Sequence, residues 1–292
     1  MSAKSLTSIT SELDFARRDG ALRQVQIPPC PQLLLQLREA MEASPQDLAA
    51  VASIAQSDVA MSATLLRLAN SPLHRVDGPP CTSVGQALNR LGLDEAARVM
   101  AAFLVRHALP VHSPHLARFW ERSAKRALAM RHIASHLPGM CMDLAHNHGL
   151  FLHVGMPVLL QSFRSYGSTL VEAAARIDRP FIATENANHH TDHAVVGALV
   201  ARAWHLRGEL MQSIRLHHDM EALGDTTVDS EVRTLIAAGL VAEHLMRLHE
   251  AMPEDADWQA HKDLALNWLH IDADELLHWR DTYTELMDAH GT

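Results

Sequence analysis

Apolar positions recur at helical spacing along most of the chain, in segments separated by short polar, Gly or Pro breaks. Leu33, Leu37, Ala40 and Met41 share one face of a helix predicted over residues 31–43. Ser44 followed by Pro45 reads as an N-cap with proline at the first helical position, which predicts a helix to about residue 56. Asp58 is placed to cap the next helix, on which Met61, Leu65 and Leu68 align and which Asn70-Ser71-Pro72 ends. A Gly- and Pro-rich loop at 77–81 leads to Thr82 and a short helix that stops at Leu91-Gly92; another runs from about 94 to 108. Residues 114–137 carry the strongest amphipathic stripe: Leu116, Phe119, Ser123, Ala127, Met130, Ala134 and Leu137, ended by Pro138-Gly139. Further helices are expected over roughly 168–177, 192–205, 207–218, 229–251, 258–269 and 272–290, the last with Leu276, Trp279, Tyr283 and Leu286 in register.

One segment breaks the amphipathic rule. FLHVGMPVLL, residues 151–160, is apolar around most of its circumference, as expected of a helix packed on all sides, yet it holds His153. Composition supports helices throughout. Aromatic residues make up only 4% of a chain that is 48% apolar, and β-branched runs are scarce. The predicted fold class is all-α, in two lobes with a junction near residues 108–114.

Charge and cysteine usage narrow the function. A net charge of −9 argues against a general phosphate-backbone binder, so nucleic acid is not an expected partner. Cys30, Cys81 and Cys141 are widely spaced and form no CxxC, which fits reduced thiols. The N-terminus lacks an apolar core of signal-peptide length, and the longest apolar run, at 149–160, is too short to span a bilayer. A cytoplasmic protein without a membrane partner is expected. GxSxG, HExxH, P-loop and GxGxxG motifs are all missing from the chain.

Several segments in order resemble the HDOD family of bacterial signalling proteins, relatives of the HD phosphohydrolases. They are IPPCPQLLLQL (27–37), SDVAMSATLLRLANSP (57–72), TSVGQALNRLGL (82–93), FWERSAKRALAMRHIA (119–134) and DHAVVGALVARAWHLRGELMQSIRLHHD (192–219). The resemblance implies an HD-superfamily-like helical bundle with an N-terminal helical lobe. It would span residues 25–250, with lobes of about 25–110 and 111–250. Residues 1–24 would be an N-terminal extension, and residues 251–292 would be C-terminal helices packed on the domain.

The same resemblance frames His153. The family's equivalent of FLHVGMPVLL carries the His-Asp pair that, with an earlier His and a later Asp, holds divalent metal in working HD enzymes; that metal acidifies a water for attack on a phosphate ester. Here the partner of His153 is Val154, the earlier His falls at Arg122 or a neighbour, and the later Asp falls at Gly239. One ligand of four cannot hold a catalytic metal at ordinary affinity, so no catalytic residue and no metal cofactor are expected. Arg122, His153, His193, His217 and His218 are the candidates for a vestigial or ligand-binding pocket, with Glu185 or Asp192 as counter-ions for Arg122. His146 and His148 read as loop or helix-start residues. Asn70, closing its helix, is expected to make capping bonds or to share an interaction surface.

Three functional readings follow. The first is a non-catalytic signal-transduction module that acts by protein–protein interaction, its partner a signalling protein in trans from a cyclic-di-GMP or two-component pathway. The second is a nucleotide or anion sensor built on the old pocket. The third is a divergent metal-dependent hydrolase that recruits His189, His193, His217 and His218.

Overall fold

In the computed structural model of the chain, residues 4–18, 21–74, 79–176 and 179–290 are described. Every regular element among them is helical, in agreement with the all-α expectation. The helices are α1 (Leu6–Arg18), α2 (Gln32–Glu42), α3 (Leu48–Gln56), α4 (Val59–Ala69), α5 (Val84–Leu91), α6 (Leu93–Ala108), α7 (Phe119–His136) and α8 (Met142–Phe151). They continue with α9 (Gly155–Ser162), α10 (Tyr166–Ala175), α11 (Phe181–His189), α12 (His193–Ala203), α13 (Gly208–Leu216), α14 (Ser230–His249), α15 (Ala256–Leu269) and α16 (Ala273–His290). No single helix among the described residues is long and apolar enough to cross a membrane.

The chain divides into two compact units. One holds residues 29–110 with 288–292; the other holds residues 1–28 and 111–287. In the first, short polar side chains set the helix starts. Asp47, not Ser44, caps α3: its carboxylate accepts the Ala50 N–H at 2.9 Å, so the helix opens at Leu48 and leaves Pro45 outside it. Asp58 caps α4 as predicted, accepting from the Ala60 and Met61 N–H groups. The buried face of α4 runs Met61, Leu65, Ala69, and Leu68 lies at its margin. Ser83 caps α5, while the Thr82 N–H donates to the Gln86 side chain at 2.7 Å. The predicted loop at 77–81 falls partly outside the described residues.

The larger unit is built around α14, whose Val232, Leu235, Ile236, Val241 and Leu245 are buried, and around the packed pairs α7–α8 and α12–α13. The N-terminal segment belongs to this unit. Helix α1 lies against α12 and α13, with Arg202 bonded to Asp14 at 2.8 Å and Arg215 to Glu12. At the other end α15 packs on α14, where the His244 ring stacks on Trp258 at 3.7 Å with an interplanar angle of 7°.

The run FLHVGMPVLL is not one helix. Helix α8 ends at Phe151, Leu152-His153-Val154 form a turn, and α9 starts at Gly155. The reason lies in a backbone crossing. A Cβ at Gly155 would stand 2.1 Å from the His193 carbonyl oxygen and 2.7 Å from the Gly197 nitrogen, so α9 can touch α12 only through glycine. This crossing brings the turn holding His153 up to the first residue of α12.

Gly155→Ala is therefore expected to destabilise the protein by about 3 kcal/mol through overpacking. Gly85→Ala, where nothing lies within 4 Å of the added Cβ, should be neutral or add about 0.5 kcal/mol. Chemical denaturation midpoints check both, and an unchanged midpoint for Gly155→Ala would contradict the crossing.

Candidate functional site

Four imidazoles converge at helix ends in the larger unit. His153 comes from the α8–α9 turn, His193 opens α12, and His217 and His218 close α13. One nitrogen from each lies within 4.8 Å of all the others. His193 Nε2 is the hub, at 3.0 Å from His153 Nδ1 and 3.2 Å from both His217 Nε2 and His218 Nε2. His193 and His217 are buried, whereas His153 and His218 keep a solvent edge.

The outward nitrogens of His193, His217 and His218 are each held by an acceptor. His193 Nδ1–H donates to Glu185 Oε2 at 2.7 Å, and the His193 backbone N–H donates to the same oxygen at 3.2 Å. The other oxygen of Glu185, a side chain with no exposed surface, accepts from the Tyr166 hydroxyl. His217 Nδ1–H donates to the Ile214 carbonyl at 2.7 Å, and His218 Nδ1–H to Asp257 Oδ2 at 2.5 Å. Carbonyls and carboxylates only accept, so Nδ1 carries the proton on all three rings. In the neutral rings the Nε2 lone pairs then face inward.

Electrostatics follow from this placement. Burial, with the charge of Arg126 behind it, pushes His153 well below the ordinary imidazole range, and burial does the same to His217. Burial also opposes charge on His218, but the hydrogen bond and charge of Asp257 outweigh it and raise that ring. Asp257 is lowered in turn: burial works against its charge, and His218 overcomes it.

Asp257 sits on α15, and its position is fixed locally. Asp255 caps the helix by accepting the Trp258 N–H at 2.8 Å, and Trp258 is clamped by His244 of α14. Asp192 caps α12 through the Val195 N–H at 2.9 Å, which sets the direction of His193. Tyr166 and Asp257 were not legible as site residues in the sequence, although the Asp-x-x-Trp cap of α15 was a usable signal for where Asp257 falls; Glu185 was expected at the pocket, but its partner is His193 and not Arg122.

Several sequence expectations need correcting. Arg122 does not join the histidines. Its guanidinium pairs with Glu243 at 3.3 Å and Glu250 at 3.2 Å, not with Glu185 or Asp192, and the neighbour buried on the inner face of α7 is Ser123. The cation whose charge reaches His153 is Arg126, one turn along α7 and bonded to Glu243 at 2.8 Å. His189 lies apart from the quartet and bonds Thr169 Oγ1 at 2.8 Å; His153 stands in its place. His148 is neither loop nor helix start. It is fully buried on α8, with Nδ1 on Ser213 Oγ at 2.9 Å, and a Cβ at Gly239 would come within 3.0 Å of its Nε2. Asn70, in the smaller unit, spends its amide on the Cys81 backbone at 2.7 and 2.9 Å and accepts from Arg90.

The HDOD domain profile matches residues 27–220. The chain belongs to the HDOD family. A solved HDOD domain protein of unknown function from Geobacter sulfurreducens is 20% identical, with a TM-score of 0.72 over 97% of each chain. A Shewanella amazonensis SB2B protein whose name proposes a phosphohydrolase is 19% identical, with a TM-score of 0.70 over 96% of this chain and 94% of its own. An uncharacterized protein of Treponema pallidum (strain Nichols) is 22% identical over 196 residues, 66% of this chain and 38% of its own length. The structural likenesses establish the shared helical fold. Asp257, which anchors His218, lies beyond the matched HDOD region.

The buried histidines predict acid sensitivity. Burial, then the charge of Arg126, lowers His148 to about 3, against about 6.5 in an unfolded chain. The unfolded state therefore takes up this proton first, so the stability His148 contributes is present above pH 6.5 and lost as pH falls toward 3. At pH 4.5 the loss from this one group is about 2–3 kcal/mol. His148→Asn should flatten the fall in unfolding free energy between pH 7 and 4.5 by about that amount; an unchanged slope would contradict it.

Proposed function

We propose that this HDOD domain is a regulatory module of a signalling system that works through a protein partner in trans, and that it does not hydrolyse phosphate esters. The observation that carries the reading is the donor set at the HD positions. His153 is followed by the fully buried Val154, Gly239 has no side chain, and Arg122 and Ser123 stand where the earlier histidine would be. A binuclear hydrolytic site needs carboxylates that bridge the ions and hold charge around an activated water. The residues present do not fit such a site. Glu185 and Asp257, the carboxylates next to the imidazoles, are both committed to histidine Nδ1 groups, facing away from the point where the four rings meet.

The anion-sensor reading finds less support, because Arg122 is already matched by two carboxylates. A scaffold retained without the chemistry of its relatives is suited to recognition. A Marinobacter aquaeolei VT8 protein of this fold, 17% identical with a TM-score of 0.72, carries a name proposing signal transduction.

The test is turnover of an activated aryl phosphodiester in the presence of Mn²⁺, Fe²⁺ or Mg²⁺. The wild type and His153→Ala are expected to give the same background rate. A wild-type rate tenfold or more above that of His153→Ala would overturn the reading.

A further inference from the structure

We propose that His153 Nδ1 and the Nε2 atoms of His193, His217 and His218 form a mononuclear site for a divalent first-row transition ion of the Zn²⁺ class. The first argument is the direction of the lone pairs. With Nδ1 protonated on His193, His217 and His218, three Nε2 lone pairs point at one another, two of the pairs at 3.2 Å. Neutral rings in this arrangement repel one another until a proton or a cation lies between them. Burial of His193 and His217 makes water a poor screen for that repulsion.

The second argument is size. Zn²⁺–N bonds of about 2.0–2.1 Å place the corners of a tetrahedron about 3.3 Å apart. The hub distances of 3.0, 3.2 and 3.2 Å from His193 Nε2 are close to that edge, and no pair in the quartet exceeds 4.8 Å. Small rotations of His153 and His218, both partly exposed, would complete the figure.

The third argument is the surrounding support. Metal-bound imidazoles characteristically donate their other N–H to a carboxylate or carbonyl, which fixes tautomer and ring orientation. Three of the four rings here do so, through Glu185, Ile214 and Asp257. Four neutral nitrogen donors without an oxygen favour Zn²⁺, Cu²⁺, Ni²⁺ or Co²⁺ over Mg²⁺ or Ca²⁺. His153 stands at the His of the His-Asp pair, and His193, His217 and His218 supply imidazoles around it where the pair has lost its carboxylate to Val154. Four protein ligands leave no open position, and the ion would be structural or regulatory, tying the ends of α12 and α13 to α15 through Asp257.

The experiment uses the full chain without an affinity tag, stripped by chelator and reloaded with Zn²⁺ alone. Elemental analysis after gel filtration should find about one ion per chain in the wild type. The same is expected of the His132→Ala/His136→Ala double variant, which removes another close histidine pair. His153→Ala and His218→Ala, chosen because neither side chain is fully buried, should lose it while keeping the wild-type helical circular dichroism. Asp257→Asn should bind Zn²⁺ about 10–100-fold more weakly. At a hundredfold excess over Kd, Zn²⁺ should raise the wild-type Tm by about 5–10 °C. Retention of equal Zn²⁺ by the wild type and both single variants, or well under one ion per chain in the wild type, would overturn the proposal. Because the readout is bound metal and Tm, its failure is distinct from any finding of phosphodiester turnover.

Discussion

Glu185 has no exposed surface, and both of its oxygens are occupied: one by the Tyr166 hydroxyl, the other by the Nδ1–H and backbone N–H of His193. A buried carboxylate is tolerated only when such partners compensate its lost hydration. The arrangement allows one orientation of His193, with Nε2 directed away from Glu185. Everything at the site is measured from that atom. His153 comes from the α8–α9 turn and His217 and His218 from the end of α13, and each places a nitrogen within 3.2 Å of it.

The backbone is shaped to permit this. Glycine at 155 lets α9 press on the start of α12, which puts the His153 turn beside His193. Asp192 starts α12 at the residue before His193, and α13 ends at Leu216, so His217 and His218 fall at the exit from a helix rather than along its side. Helix ends allow neighbouring residues to point toward one centre in a way that one helical face does not. The C-terminal helices then complete the support, since α15 delivers Asp257 to His218 and is itself held by the stacked His244 and Trp258 rings.

Much of this fold was readable from residue spacing, and the exceptions have physical causes. Asp58, and the Gly92 stop with φ of +80°, gave clear local signals because each acts within one turn. Ser44-Pro45 misled because Asp47, three residues later, offers a stronger acceptor to the helix start. Helix α11 was missed because its inward face carries Thr184, Glu185 and His189 rather than an apolar stripe. The apolar run at 151–160 hid a turn, since buried turn and buried helix share the same composition. Of the five residues expected at the pocket, the fold brings together His153, His193, His217 and His218, whereas Arg122 was added to them on family register alone. Its true partners, Glu243 and Glu250, lie more than a hundred residues away, and Asp257 lies 39 residues from His218; no local pattern encodes such pairs.

At the centre of this HDOD domain we propose an all-imidazole site for one ion and not the carboxylate-rich pair of a hydrolase. X-ray absorption at the metal edge of the Zn²⁺-loaded chain addresses it directly. The expected result is a first shell of about four nitrogens near 2.0 Å with imidazole outer-shell scattering and no metal–metal vector. A shell dominated by oxygen, or a second metal at about 3.5–4 Å, would contradict it.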